Sequence, residues 1–153
     1  MKTCSSSLLT TWLKSQDPEL LQDLLSAATP EEIKAITEKS SSYIEKFCVV
    51  FLDLSGFSKA TKTHGDFDAL RLVLVAETLI DELADENNGH LVKSIGDSWL
   101  LKFKKTQDAV MFMGSLYGGL SEINKRNSTH LSVIPCGGLA YGPLLKFSEQ
   151  DIL

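Results

Sequence analysis

Cysteine is scarce in this chain: three in 153 residues, Cys4, Cys48 and Cys136. They are scattered and share no metal-ligand spacing, so they build neither a disulfide framework nor a zinc knuckle. Reduced thiols in a cytoplasmic protein are the expectation, two of them buried. Long hydrophobic runs are missing as well. No stretch approaches the roughly 20 apolar residues that span a bilayer, so no membrane span is expected. The opening MKTCSSSLLTTWLKS lacks the continuous apolar region of a secretory signal. Basic clusters are also absent. Fifteen Lys and Arg against 20 Asp and Glu leave a net charge of −5, which argues against nucleic-acid binding through phosphates. His64, His90 and His130 form no i, i+4 pair and read as solvated or locally bonded side chains. No GxxxxGK[ST], GxGxxG or GxSxG occurs, which excludes P-loop, dinucleotide and nucleophile-elbow chemistry.

What is present divides near residue 45. Before it, Asp17-Pro18 and Thr29-Pro30 each set a capping residue ahead of a first-turn proline, and Glu32 completes a capping box with Thr29. Leu20, Leu21, Leu24 and Leu25 stripe the first helix; Ile33, Ile36, Tyr43 and Ile44 belong to the second. Residues 1–45 are expected to be an accessory helical segment that packs or dimerises. From Phe47 the pattern changes. FCVVFLDL reads as a buried strand. A helix is predicted over residues 67–86, with Leu70, Val73, Ala76, Ile80 and Leu83 on one face and Gly89 as its C-terminal cap. HLVKSIGDSWLLKF reads as a hairpin around Gly96-Asp97, with Trp99, Leu101 and Phe103 alternating onto one face. Val110, Met113, Tyr117 and Leu120 predict a helix over residues 106–124, and Gly114, Gly118 and Gly119 inside it predict close backbone packing. HLSVIPCGGLAYGPLL supplies a strand, a Gly-rich bend and the start of another. Strand, helix, hairpin, helix, strand is the order of an α+β, ferredoxin-like sandwich: an antiparallel sheet with helices on one face. Residues 46–153 would form that domain.

The first strand ends in FLDLSGF, and Asp53 sits at its tip. Alone, Asp53 reads as a helix cap and Asp97 as the second residue of a type II′ hairpin turn. If the strand and the hairpin are neighbours, the two meet. Carboxylates about 4 Å apart at an effective dielectric near 20 repel by roughly 4 kcal/mol, so such a pair calls for a cation. Asp side chains, a backbone carbonyl and substrate phosphates suit Mg²⁺. Past the turn, the backbone N–H groups of Gly56, Phe57 and Ser58 would open at a helix N-terminus, which attracts phosphate oxygens. Gly56 leaves that approach unobstructed.

These residues carry a resemblance. VVFLDLSGFSKAT resembles the F-x-D-[IL]-x-G-F-[ST] motif of the class III nucleotidyl cyclases, the adenylate and guanylate cyclase catalytic domain. GHLVKSIGDSWLLKF is similar to that family's G-x-x-x-K-x-[IL]-G-D segment, and CGGLAYGPLL to its R-x-G-[IL]-x-x-G-x-[LV] strand. The three occur in the family's order and spacing. The resemblance implies that Asp53 and Asp97, with the carbonyl of Leu54, hold two Mg²⁺ or Mn²⁺ ions per site. One ion would activate the ribose 3′-hydroxyl of ATP and the other would bind the triphosphate. Attack on the α-phosphorus would then release cyclic AMP and pyrophosphate. Lys93 falls at the family's purine-reading lysine and Asp151, in EQDIL, at the Asp that accepts from the adenine amino group; Lys93 also fits an ordinary solvated strand lysine. The family builds its site between two subunits, so a head-to-tail homodimer or a second cyclase-type domain is the implied partner.

The family's Asn and Arg that steady the transition-state phosphate would fall past Leu153. Losing a phosphate-directed arginine costs about 10³–10⁵ in rate, so this chain alone is expected to be a C-terminally incomplete and nearly inactive fragment of the enzyme. Two other functions remain open. One is a non-catalytic cyclase-like module that senses a nucleotide or binds a partner. The other is a different two-metal enzyme such as a diguanylate cyclase, which would need a Gly-Gly-acidic turn where this chain has Ile95-Gly96-Asp97-Ser98.

Overall fold

A computed structural model describes residues 17–126 and 132–145, without the side chains of 58–60, 64 and 145. The described residues fall into two compact units: 17–45 with 143–145, and 46–126 with 132–142.

The first unit is built on its caps. Helix α1 (Pro18–Ser26) begins where the Asp17 carboxylate accepts from the Leu20 amide at 2.8 Å. Helix α2 (Pro30–Lys39) begins with the full capping box, the Glu32 amide donating to Thr29 and the Glu32 carboxylate accepting from the Ala28 and Thr29 amides. Those two backbone donors hold the Glu32 carboxyl below its usual range. A short 3₁₀ turn, Ser41–Tyr43, follows, and the Tyr43 hydroxyl reaches back 3.4 Å to Asp17.

The second unit is the sandwich. Its elements are β1 (Ile44–Leu54), α3 (Phe57–His64), α4 (Asp66–Glu86), β2 (Gly89–Ile95), β3 (Ser98–Phe103), α5 (Thr106–Arg126) and β4 (Pro135–Leu145). The strands form one antiparallel sheet in the order β2-β3-β1-β4. The period-2 pattern decides its faces. Cys48, Val50, Leu52 and Leu54 of β1 join Trp99, Leu101 and Phe103 of β3 in the core. Leu72, Ala76, Ile80 and Ala84 of α4 and Ala109, Phe112, Leu116 and Leu120 of α5 close over them. The helices thus cover one face of the sheet. The other face carries the odd residues of β1, whose exposure climbs from 3% at Phe47 to 54% at Phe51 and falls back to partial at Asp53.

Several local expectations are corrected. The buried stripe of α5 is rotated from the expected one: Val110 and Tyr117 are exposed, and Ala109, Phe112 and Leu116 point inward. Of its glycines only Gly119 is closely approached, by the Leu79 side chain, while Gly114 and Gly118 face open space. Asn88, not Gly89, takes the left-handed conformation after α4. Gly89 opens β2 instead, where any Cβ would strike the Phe103 ring. The Gly-rich bend does not exist: β4 runs unbroken through Gly137, Gly138 and Gly142. Gly137 is needed there because a Cβ would lie 2.5 Å from the Phe51 carbonyl and 2.8 Å from Leu52.

Candidate functional site

Asp53 is the penultimate residue of β1, and alternation turns it away from the core onto the open face with Phe51. Across the ladder it pairs with Ser98, the first residue of β3, whose hydroxyl donates to the carboxylate at 3.1 Å. Asp97 stands beside Ser98 in the hairpin turn. Its carbonyl accepts from the Leu54 amide at 3.2 Å, so the backbones carrying the two aspartates are joined directly. Gly96 has φ +61 and Asp97 does not share the positive sign, which is the pattern of the expected type II′ turn. The structure therefore brings Asp53, Leu54 and Asp97 to one end of the sheet. Ser98 completes the group, and sequence reading missed it. A strand that starts right after a two-residue turn would have placed it opposite Asp53.

The turn that follows is Ser55-Gly56, and Gly56 (φ +80) is the residue before the first turn of α3. A Cβ at Gly56 would meet nothing within 4 Å, so the glycine is required by its left-handed backbone rather than by crowding. Backbone amides in the first turn of a helix have no intrahelical acceptor. Those of Phe57 and Ser58 are in that position, beside the Asp53–Asp97 pair in sequence and in the fold.

Lys93 reaches the same open face through an irregularity. Leu91 pairs with Leu101 and faces the core, and strict alternation would send Lys93 there too. Between them the register slips by one residue, so that Lys93 pairs with Leu100. This bulge turns the lysine outward, where it is exposed. Within one chain it is not gathered with the aspartates. It lies two strands away and one same-face rung back, roughly 12 Å by sheet spacing. Asp151 lies outside the described residues.

A divalent cation fits the donors at the strand tip. They are hard oxygens only, and among the described residues neither carboxylate has a Lys, Arg or His partner. Among the same residues no group of three His, Cys, Asp or Glu gathers into a cage. That suits Mg²⁺, which keeps waters and substrate phosphates among its ligands. None of the helices in the described residues is long and apolar enough to cross a membrane.

The chain belongs to the adenylate and guanylate cyclase catalytic domain family, whose model matches residues 39–132. Asp53, Lys93 and Asp97 all lie inside that span. Solved structures carry the same fold. A bacterial light-regulated adenylyl cyclase superimposes with a TM-score of 0.60 at 19% identity, covering 71% of this chain and 61% of its own. The guanylyl cyclase Cya2 gives 0.59 at 15% identity, covering 71% and 61%. An adenylate/guanylate cyclase/hydrolase from Silicibacter pomeroyi gives 0.60 at 22% identity, covering 72% and 63%. The chain thus spans about three fifths of the structures it matches. No curated protein matches it.

Proposed function

We propose that this chain provides the metal- and triphosphate-binding half of a nucleotidyl cyclase site that takes ATP. One observation supports the reading: the Ser98–Asp53 hydrogen bond and the backbone bond from Leu54 to Asp97 join the two aspartate positions at one end of the sheet, next to the turn that leads into α3. Asp53, Asp97 and the Leu54 carbonyl would hold Mg²⁺ or Mn²⁺, two ions per site. When bound, these ions neutralise the triphosphate and ease deprotonation of the ribose 3′-hydroxyl. The amides of Gly56, Phe57 and Ser58 receive phosphate oxygens at the positive end of α3. Lys93 and Asp151 offer a donor and an acceptor to adenine N1 and its amino group. The family resemblance supports a site completed by a second, head-to-tail copy or another cyclase-type domain. Residues 1–45 are proposed to serve as the accessory segment of that assembly.

Titrating Mn²⁺ and a non-hydrolysable ATP analogue into the protein tests the reading calorimetrically. Saturable binding that Asp53→Ala and Asp97→Ala each abolish is expected. Binding that survives both substitutions overturns the metal assignment. Metal-dependent binding without any cyclic AMP release from ATP, even with a complete cyclase-type domain supplied as partner, would instead favour a nucleotide-sensing module of the same fold.

A further inference from the structure

Asn124, in the last turn of α5, is the one side chain that clamps a distant residue's backbone from both sides among the described residues. Its Nδ2 donates to the Val133 carbonyl at 2.8 Å, and its Oδ1 accepts from the Val133 amide at 2.7 Å. One carboxamide thus exchanges both hydrogen bonds with one residue, as a ladder partner would in an antiparallel sheet. The Val133 side chain, 2% exposed, is anchored in the core. The next carbonyl, that of Ile134, accepts from the Ser55 amide at 2.8 Å. Ser55 opens the turn between β1 and α3.

Apolar contacts hold the flanks of the turn, where Leu54 is buried in the core and Phe57 packs against it. Gly56 supplies no side-chain cap to α3. Beneath it lies a cavity of about 20 Å³, lined in part by Ser55, Gly56, Ser132 and Val133. Leu54, Phe57 and Leu72 complete that lining, and the space they leave is about that of one water. Two consecutive amides also fix the turn: Leu54 to Asp97 on one side and Ser55 to Ile134 on the other. With these two occupied, the amides that follow are the ones left to face a ligand. Only the second anchor depends on a segment outside the β1–β3 ladder, and that segment is held by Asn124.

We infer that Asn124 is a positioning residue of the phosphate-receiving turn, acting through Val133 and Ile134 on Ser55. The inference rests on the functional reading above for its consequence, triphosphate affinity, but not for its mechanical part. The test is amide exchange of the nucleotide-free protein, followed by NMR, for wild type, Asn124→Ala and Asn124→Asp. Removing the clamp should speed exchange at Ser55 about tenfold, with Val50 and Leu101 in the sheet changing less than about twofold. Affinity for Mn²⁺ with the ATP analogue should fall about five- to thirtyfold in Asn124→Ala. Asn124→Asp, which keeps the acceptor for Val133, should fall between. Unchanged exchange at Ser55, or equal acceleration of sheet and turn, overturns the inference. So does faster exchange with full triphosphate affinity. If the wild type binds no triphosphate, the functional reading fails, and exchange at Ser55 alone then decides whether the clamp sets the turn.

Discussion

Ser98 faces Asp53 across β1 and β3, and its hydroxyl donates a hydrogen bond to the carboxylate at 3.1 Å. One oxygen of Asp53 is thereby oriented by the sheet, and the other is left to a ligand. Ser98→Ala should weaken Mn²⁺-dependent nucleotide binding about three- to tenfold, because a hydrogen bond to a charged acceptor at a half-exposed site is worth about 1 kcal/mol. Fold stability should change by less than about 1 kcal/mol. Calorimetry and thermal unfolding of the same variant separate the two. A large stability loss with unchanged affinity would make Ser98 a purely structural residue.

The glycines of α5 and β4 divide sharply. Gly114 and Gly118 are exposed helix-interior residues with open space around them, so Gly114→Ala and Gly118→Ala should each stabilise by about 0.5–1 kcal/mol. Gly119→Ala should gain little, since Leu79 would have to move. Gly137→Ala should cost about 1–3 kcal/mol by forcing β4 away from the Phe51 carbonyl, whereas Gly138→Ala should stay within about 0.5 kcal/mol. Urea midpoints at constant m-value measure all five. Equal effects at Gly137 and Gly138 would contradict the strand packing.

Cys48 is fully buried, and that burial pushes its thiol up, with a hydrogen bond to Thr106 opposing. Cys136 is exposed. In a Cys4→Ser background, a thiol reagent near pH 8 should label Cys136 at once and Cys48 only on unfolding. Because the folded thiol titrates above the unfolded one, the stability it contributes is complete below the ordinary thiol range. It falls away as pH rises through the raised folded-state value. Cys48→Ala should remove that slope from the pH profile of stability. Rapid double labelling of the native protein would refute the burial.

These particulars show what a sequence exposes. The caps at Asp17 and Thr29 were legible because capping is local chemistry, settled within four residues. The alternation of Trp99, Leu101 and Phe103 was legible because a hairpin fixes its own register. The face of α5 was not, since Val110, Met111, Phe112, Met113, Leu116 and Tyr117 surround the helix with apolar candidates and only packing selects Ala109, Phe112 and Leu116. The unbroken course of β4 was hidden because the need for one of its glycines, Gly137, is set by a neighbour, Phe51, more than eighty residues away. At the candidate site, motif and turn pointed to Asp53 and Asp97, which the fold brings to one end of the sheet. Ser98 and Asn124 went unseen, because each acts through a hydrogen bond across 45 and 9 residues respectively. The bulge before Lys93 leaves no mark in the residue types, although it decides which face the lysine occupies.

The position of Lys93 leads to a test of how the site is assembled. It shares the open face with Asp53 and stands two strands away, and in the reading above the two meet opposite ends of one nucleotide. A second copy, arranged head to tail, would bring its Lys93 to the first copy's Asp53. Asp53→Ala alone should bind no ATP analogue, and Lys93→Glu alone should lose the preference for ATP over GTP analogues. Random mixing makes half of the dimers mixed, each with one intact site of two. High-affinity, ATP-preferring sites should therefore reappear at about a quarter of the wild-type density. Calorimetric stoichiometry on the mixture and on each variant alone gives that number directly. If mixing restores nothing while both variants remain folded and dimeric, Lys93 and Asp53 do not serve a site shared between two chains.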